Sequence, residues 1–120
     1  MSHAPRRVTL IPGDGVGPEI AEAVVRIFAA ARVPVEWEQV DAGQEAVRRY
    51  GTPLPDESIA SIRRNGVALK GRLVRGSGDA FESPSVTLRK VLDLYANLRP
   101  VRNFTGRAGQ FSDVDLVIVR

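Results

Sequence analysis

Apolar and polar residues change period several times along this chain, and many of the changes fall at a glycine or a proline. Residues 8–12 (VTLIP) form a short apolar run between arginines and a glycine-rich turn, the pattern of a strand buried in a mostly parallel sheet. The turn itself, Gly13-Asp14-Gly15-Val16-Gly17-Pro18, places three glycines at alternate positions, where backbone can bend or be approached closely. Gly17 and Pro18 then open a helix with Glu19 and Glu22 near its start. Over residues 18–31 Ile20, Val24, Ile27, Phe28 and Ala31 recur at steps of three and four, which predicts one buried helical stripe. Residues 33–40 switch to alternation, with Val33, Val35 and Trp37 opposite Glu36 and Glu38, a half-exposed strand in which Trp37 serves packing.

A short helix over 41–50 ends at Gly51, and Thr52-Pro53-Leu54-Pro55 leads to another helix that starts at Asp56 and Glu57 and buries Ile59 and Ile62. Asn65-Gly66 stops it. Val67-Ala68-Leu69 then reads as a short buried strand that delivers Lys70 to its carboxyl end, the usual place for ligand contacts in open α/β sheets. Residues 71–82 (GRLVRGSGDAFE) show no periodicity and read as a mobile loop. After a polar connection over 101–113, residues 114–119 form a last strand before Arg120. Strands alternating with helices make the fold class α/β, as a single domain over 1–120 at most.

The chemistry concentrates in residues 83–100, SPSVTLRKVLDLYANLRP. Ser83 and Pro84 suit a helix start, with the serine hydroxyl available to cap free N–H groups. Val86, Leu88, Val91 and Leu92 supply its apolar surface, and Leu94 to Pro100 turns β-like. Arg89 therefore sits near a helix C-terminus and Arg99 near a strand end, and two guanidinium forks so placed could bind one carboxylate-bearing ligand. The competing reading is that both arginines are solvated or paired with Asp93 and Glu82.

Composition narrows the function classes. The net charge is +3 with a pI near 9.9, carried by arginine, since Lys70 and Lys90 are the lysines. Basic residues are interleaved with 14 acidic ones, and aromatic residues are 6% of the chain, which argues against nucleic-acid binding. No run is long enough for a membrane span or a signal-peptide core, so no membrane partner and a cytoplasmic location are expected. There are no cysteines, hence no disulfide or thiolate metal site, and His3 lies in a terminus expected to be disordered. The turn at Gly13, Gly15 and Gly17 has the spacing G-x-G-x-G, which is not the dinucleotide fingerprint.

The run Ser83, Ser85, Val86, Leu88, Arg89, followed by Asp93, Leu94, Tyr95, Ala96, Asn97, Arg99 and Pro100, resembles the isocitrate and isopropylmalate dehydrogenases, the β-decarboxylating dehydrogenases. Their motif is Ser-x-Asn-Val-x-Leu-Arg, then Asp-Leu-Tyr-Ala-Asn-x-Arg-Pro. Ile11 to Glu19 is similar to their opening Ile-Pro-Gly-Asp-Gly-Ile-Gly-Pro-Glu. The resemblance covers nearly all of this chain but only the first part of a family member, and is strongest toward the NAD-dependent isocitrate dehydrogenases.

It implies a partial, non-Rossmann fold of that family, with a mostly parallel sheet flanked by helices, in a truncated chain. It implies substrate-binding roles for Ser83, Ser85, Arg89, Arg99 and Arg120, and cofactor contacts by Val16, Lys70 and Val74. The implied reaction is oxidative decarboxylation of isocitrate to 2-oxoglutarate with NAD reduction, or NADP reduction, a step of the tricarboxylic acid cycle. Mg2+ or Mn2+ would assist, with its ligands and the catalytic residues outside this chain, so that 1–120 alone is expected to be inactive. A homodimer is the expected full-length assembly. Two departures stand out: Ser85 replaces the usual asparagine, and Arg72, Val74 and Arg75 replace the proline and threonines of the family's Lys-Gly-Pro-Leu-Thr-Thr-Pro loop. Polar Ser83 and Ser85 favour a 2-hydroxy polycarboxylate with a third charged arm, isocitrate ahead of homoisocitrate, over branched isopropylmalate. A binding module that keeps anion recognition without catalysis is the reading from a different class.

Overall fold

The computed structural model describes residues 4–74, 82–103, 111 and 113–120. His3, Arg75 with most of the loop expected over 71–82, and much of the connection expected over 101–113 lie outside the described residues. The order is β1 (Arg6–Ile11), α1 (Gly17–Ala30), β2 (Val35–Gln39), α2 (Gln44–Tyr50), α3 (Asp56–Asn65), β3 (Ala68–Lys70), α4 (Pro84–Val91), β4 (Leu98–Arg102) and β5 (Asp115–Val119).

β1 is the middle of a parallel three-stranded sheet of order β2-β1-β3. The chain leaves β1 through α1 to β2 on one side, then returns through α2 and α3 to β3 on the other. That reversal puts the fold's switch point at the carboxyl ends of β1 and β3, where open α/β sheets form a ligand crevice. β4 and β5 form a separate antiparallel pair.

The core gathers on one side of β1. Ile11, Ala42, Leu54, Ile62, Leu73 and Leu88 form one buried cluster, joined by half-buried Val40, Ile59 and Leu92. Leu88 and Leu92 bring α4 onto the three-stranded unit, and Arg63 Nη2 donates to the Val91 carbonyl at 3.0 Å, tying α4 to α3. Under α3 runs a polar seam. Buried Thr9 and Ser61 share a hydrogen bond of 2.8 Å, Asn65 Nδ2 donates to Thr9 Oγ1 at 2.8 Å and to Glu38 Oε2 at 3.2 Å, and Arg64 pairs with Glu38. Every member has a partner, which is what makes such burial tolerable. Hydrogen bonding by Ser61 first and Asn65 second, with a smaller share from Arg64, holds the Glu38 carboxyl below its ordinary value against its partial desolvation.

Several expectations hold at the level of elements. Trp37 packs edge-on to Phe28 with ring centroids 5.3 Å apart. Gly51 and Gly66 close α2 and α3 with φ of 72° and 71°, a left-handed conformation that suits glycine. Others need correction. The α1 stripe is not buried: Ile20 is 56% and Ile27 63% exposed, and the residues that α1 buries are Gly17 and Ala21. β3 is exposed throughout, as are β4 and β5. Helical or alternating periodicity marks a face that some surface must cover, but does not say that the cover belongs to these 120 residues. Ser83 does stand at the N-cap of α4, yet its side chain caps nothing; its carbonyl instead receives the Val86 and Thr87 amides at 2.8 and 3.0 Å.

Candidate functional site: an arginine cavity beside the switch point

Arg89 lies in the last turn of α4, where a cation opposes the helix dipole favourably. Asp93 then adopts φ of 52°, one of the few non-glycine residues suited to the left-handed region. The Leu94 amide bonds the Arg89 carbonyl at 2.9 Å, so the chain doubles back past Arg89 before entering β4. Asn97, just before β4, and Arg99 within it fall on the same face because extended side chains alternate. Across the pair, Asn97 and Arg120 exchange both backbone hydrogen bonds, at 2.9 and 3.1 Å, which places Arg120 opposite Asn97 and on that face too. Asn97 Oδ1 also accepts from Arg99 Nε at 3.2 Å. The helix end and the hairpin face enclose an open cavity of about 550 Å³, lined by Arg89, residues 94–99 and Arg120.

Three arginine residues thus line one polar cavity. Neither Asp93 nor Glu82 pairs with Arg89 or Arg99 among the described residues; Glu82 binds Lys90 instead. Arg102 lies on the opposite face of β4, where Asp115 holds it through two bonds of 3.0 and 2.7 Å. Lys70 stands close enough to Arg89 to feel its charge. Partial desolvation first, and the Arg89 charge second, hold the Lys70 amine below its ordinary value. Lys70 does not line the cavity; its amine donates to the Gly71 carbonyl at 3.0 Å.

Ser83 and Ser85 are half-buried at the other end of α4 and do not line this cavity. Ser85 lies one turn before Arg89, on the same helix face. At the switch point, Val16 is 65% exposed on the glycine turn, and Val74 is half-buried with its amide donating to Asp14. The loops after β1 and β3 are zipped together: the Gly71 amide bonds the Ile11 carbonyl and the Asp14 amide bonds the Arg72 carbonyl, each at 2.8 Å. A Cβ at Gly13 or Gly71 would strike the opposing loop's backbone. An apolar ring could meet Val16 on this rim, and Lys70 could meet a negative charge there.

Two residues escaped sequence reasoning. Asn97 organises both Arg99 and Arg120, yet reads as one polar residue in a β-like stretch; the strand pairing that gives it this role is long-range. Asp14 reads as a turn aspartate between glycines, although it is buried and joins three loops.

The family model described as isocitrate/isopropylmalate dehydrogenase matches residues 7–120. The chain is 46% identical over 119 residues to isocitrate dehydrogenase (NAD) catalytic subunit 5, mitochondrial, of Arabidopsis thaliana, covering 99% of this chain and 32% of that protein. It is 47% identical over 114 residues to the chloroplastic 3-isopropylmalate dehydrogenase of Solanum tuberosum, covering 95% of this chain and 32% of the relative. Among solved structures, isocitrate dehydrogenase from Methylococcus capsulatus superposes with a TM-score of 0.87 at 48% identity, over 95% of this chain and 34% of the other. The chain spans about a third of the length of these relatives.

The expectation of a cytoplasmic location is corrected by these names, which are mitochondrial for NAD isocitrate dehydrogenases and chloroplastic for the isopropylmalate enzyme. Organelle transit peptides are arginine-rich and amphipathic, so the want of a long apolar run does not bear on such a location. Family match, fold and relatives agree, and the chain belongs to the isocitrate/isopropylmalate dehydrogenase family.

Proposed function

We propose that this chain supplies the carboxylate-anchoring part and one rim of the cofactor site of an isocitrate dehydrogenase, which oxidatively decarboxylates isocitrate to 2-oxoglutarate with reduction of NAD. One observation carries the proposal: Arg89, Arg99 and Arg120, from a helix end and two strands, line a single cavity sized for a small polyacid. Guanidinium forks fix the orientation of carboxylates as well as their charge, and hydride transfer is steeply sensitive to misplacement of the reacting carbon. Asn97 keeps Arg99 and Arg120 in register, and Ser85, one helical turn before Arg89, gives a further carboxylate arm a hydroxyl on the same face.

Nicotinamide, when bound, supplies the hydride acceptor; Val16 on the open glycine turn suits contact with its apolar surface, and Lys70, at the carboxyl end of β3, suits contact with a negative charge of the cofactor. NAD rather than NADP is favoured by the names of the similar isocitrate dehydrogenases. A divalent metal finds no ligand set here, since no three His, Cys, Asp or Glu side chains converge among the described residues. Its ligands, and the acid–base groups of the reaction, are assigned to the two-thirds of the relatives that this chain does not match.

Identity to isocitrate and isopropylmalate enzymes is nearly equal, so the substrate choice rests on local chemistry. Ser85, on the Arg89 face of α4, would offer its hydroxyl to a charged third arm reaching beyond the cavity, and a branched alkyl group there would leave it unpartnered. Calorimetric titration with isocitrate, homoisocitrate and isopropylmalate tests this. The expected order is isocitrate tightest and isopropylmalate weakest; equal affinities, or isopropylmalate binding tightest, would refute the assignment.

A further inference from the structure

The geometry points to Asp14 as a positioning residue that sets the cofactor-facing rim, by clamping residues 71–74 to the loops after β1 and β2. This inference rests on the cofactor site proposed above. Asp14 is 7% exposed, and no cation pairs with it among the described residues. Its carboxylate is compensated by backbone instead: Oδ1 accepts the Gln44 amide at 2.8 Å and Oδ2 the Val74 amide at 2.7 Å. Its own amide donates to the Arg72 carbonyl at 2.8 Å, and its carbonyl accepts the Gly17 amide at 3.0 Å. One side chain therefore joins the segments following all three parallel strands, at the end of the sheet where ligands bind.

The glycines around it show how tightly the joint is made. A Cβ at Gly43 would collide with the Asp14 carboxylate, and one at Gly13 with the Arg72 carbonyl. Gly43 has φ of 80° and Gly13 of 84°, so both also need a left-handed backbone. A carboxylate is a costly group to bury without a cation. What it provides is two acceptor oxygens on one rigid plane, so Gln44 and Val74 are fixed relative to each other. Val74 lies four residues beyond Lys70, and Val16 two residues beyond Asp14 itself. Fixing Asp14 thereby fixes both sides of the rim proposed to meet the dinucleotide. The arginine cavity is built on α4, β4 and β5, and none of its lining residues bonds Asp14.

The test uses the full 120-residue chain with Asp14→Ala and Asp14→Asn. Amide hydrogen exchange is read at Gln44 and Val74, and NAD and isocitrate affinities are read by calorimetry. Asp14→Ala should speed exchange at both amides about tenfold or more and weaken NAD about tenfold, with isocitrate affinity within about twofold of the unaltered chain. Asp14→Asn keeps one acceptor oxygen and should fall between, for NAD and for exchange alike. Unchanged NAD affinity in Asp14→Ala overturns the proposal, and so does a parallel loss of both ligands. Should Asp14→Ala not fold, Asp14→Asn decides by the same measurements. If the unaltered chain takes up no NAD, the cofactor site falls, and the clamp is judged by Val74 exchange alone: acceleration upholds it and an unchanged rate overturns it.

Discussion

Replacing Arg99 by methionine is the perturbation that separates an anion-binding cavity from a chance meeting of cations. Methionine keeps an unbranched stem of similar reach and removes the fork. Hydrogen bonds to charged groups contribute about 1.5–3 kcal/mol when well made, and exposed ion pairs about 0.2–1 kcal/mol. The cavity is open and all three arginines are exposed, so a middle value of about 1–2 kcal/mol applies, which is roughly 5- to 30-fold in isocitrate affinity. Arg99→Lys restores charge without the fork and should recover only part of that loss. Calorimetric titration of isocitrate at low and moderate ionic strength is the assay, because screening over about 10 Å at 0.1 M should weaken binding to the unaltered chain more than to the variant. Arg102→Met is the internal control: it lies on the other face of β4, held by Asp115. If Arg99→Met and Arg102→Met weaken isocitrate equally, shared net charge explains the binding and the cavity does not.

Purified chain supplied with isocitrate, NAD and Mg2+ should produce no NADH, and detectable isocitrate-dependent production would contradict the division of labour proposed here. Leu88→Ala should destabilise the chain by about 2–5 kcal/mol in thermal or urea unfolding and abolish isocitrate binding as well, since this buried side chain seats α4 on the core. Gly13→Ala should cost clearly more than Gly51→Ala: both have positive φ, but a Cβ at Gly51 meets nothing within 4 Å whereas one at Gly13 meets Arg72 backbone. Equal costs in chemical denaturation would show that the loops relax freely. Lys70 is held below its ordinary value, so the unfolded chain binds that proton more tightly and stability rises with pH from the folded value up to about the ordinary lysine value. A bound polyacid reverses the shift, so isocitrate binding at alkaline pH should take up a proton; calorimetry in buffers of different ionisation heat detects it, and Lys70→Met should abolish it.

Local signals in the sequence were legible wherever local physics decides the outcome. Gly51 and Gly66 end helices because only a left-handed residue closes them there, and the alternation around Trp37 marks a strand whatever lies beyond it. Arg89 and Arg99 could be placed at element ends from spacing alone. That Arg120 joins them depends on the pairing of Asn97 with Arg120 across β4 and β5, which no window of residues contains. Asp14 was hidden for a related reason: its partners at Gln44 and Val74 are 30 and 60 residues away. The exposed apolar faces of Ile20 and Ile27 on α1 mark the opposite limit, where periodicity correctly shows a face and cannot show what covers it.

The most direct test of the central claim is titration of the chain with isocitrate while the side-chain Nε–Hε signals of its arginines are followed by NMR. The signals of Arg89, Arg99 and Arg120 should move together along one binding curve, with one isocitrate per chain and with Arg102 unmoved. Separate curves for the three, or movement of Arg102 alongside them, would mean that these guanidinium groups do not form one site.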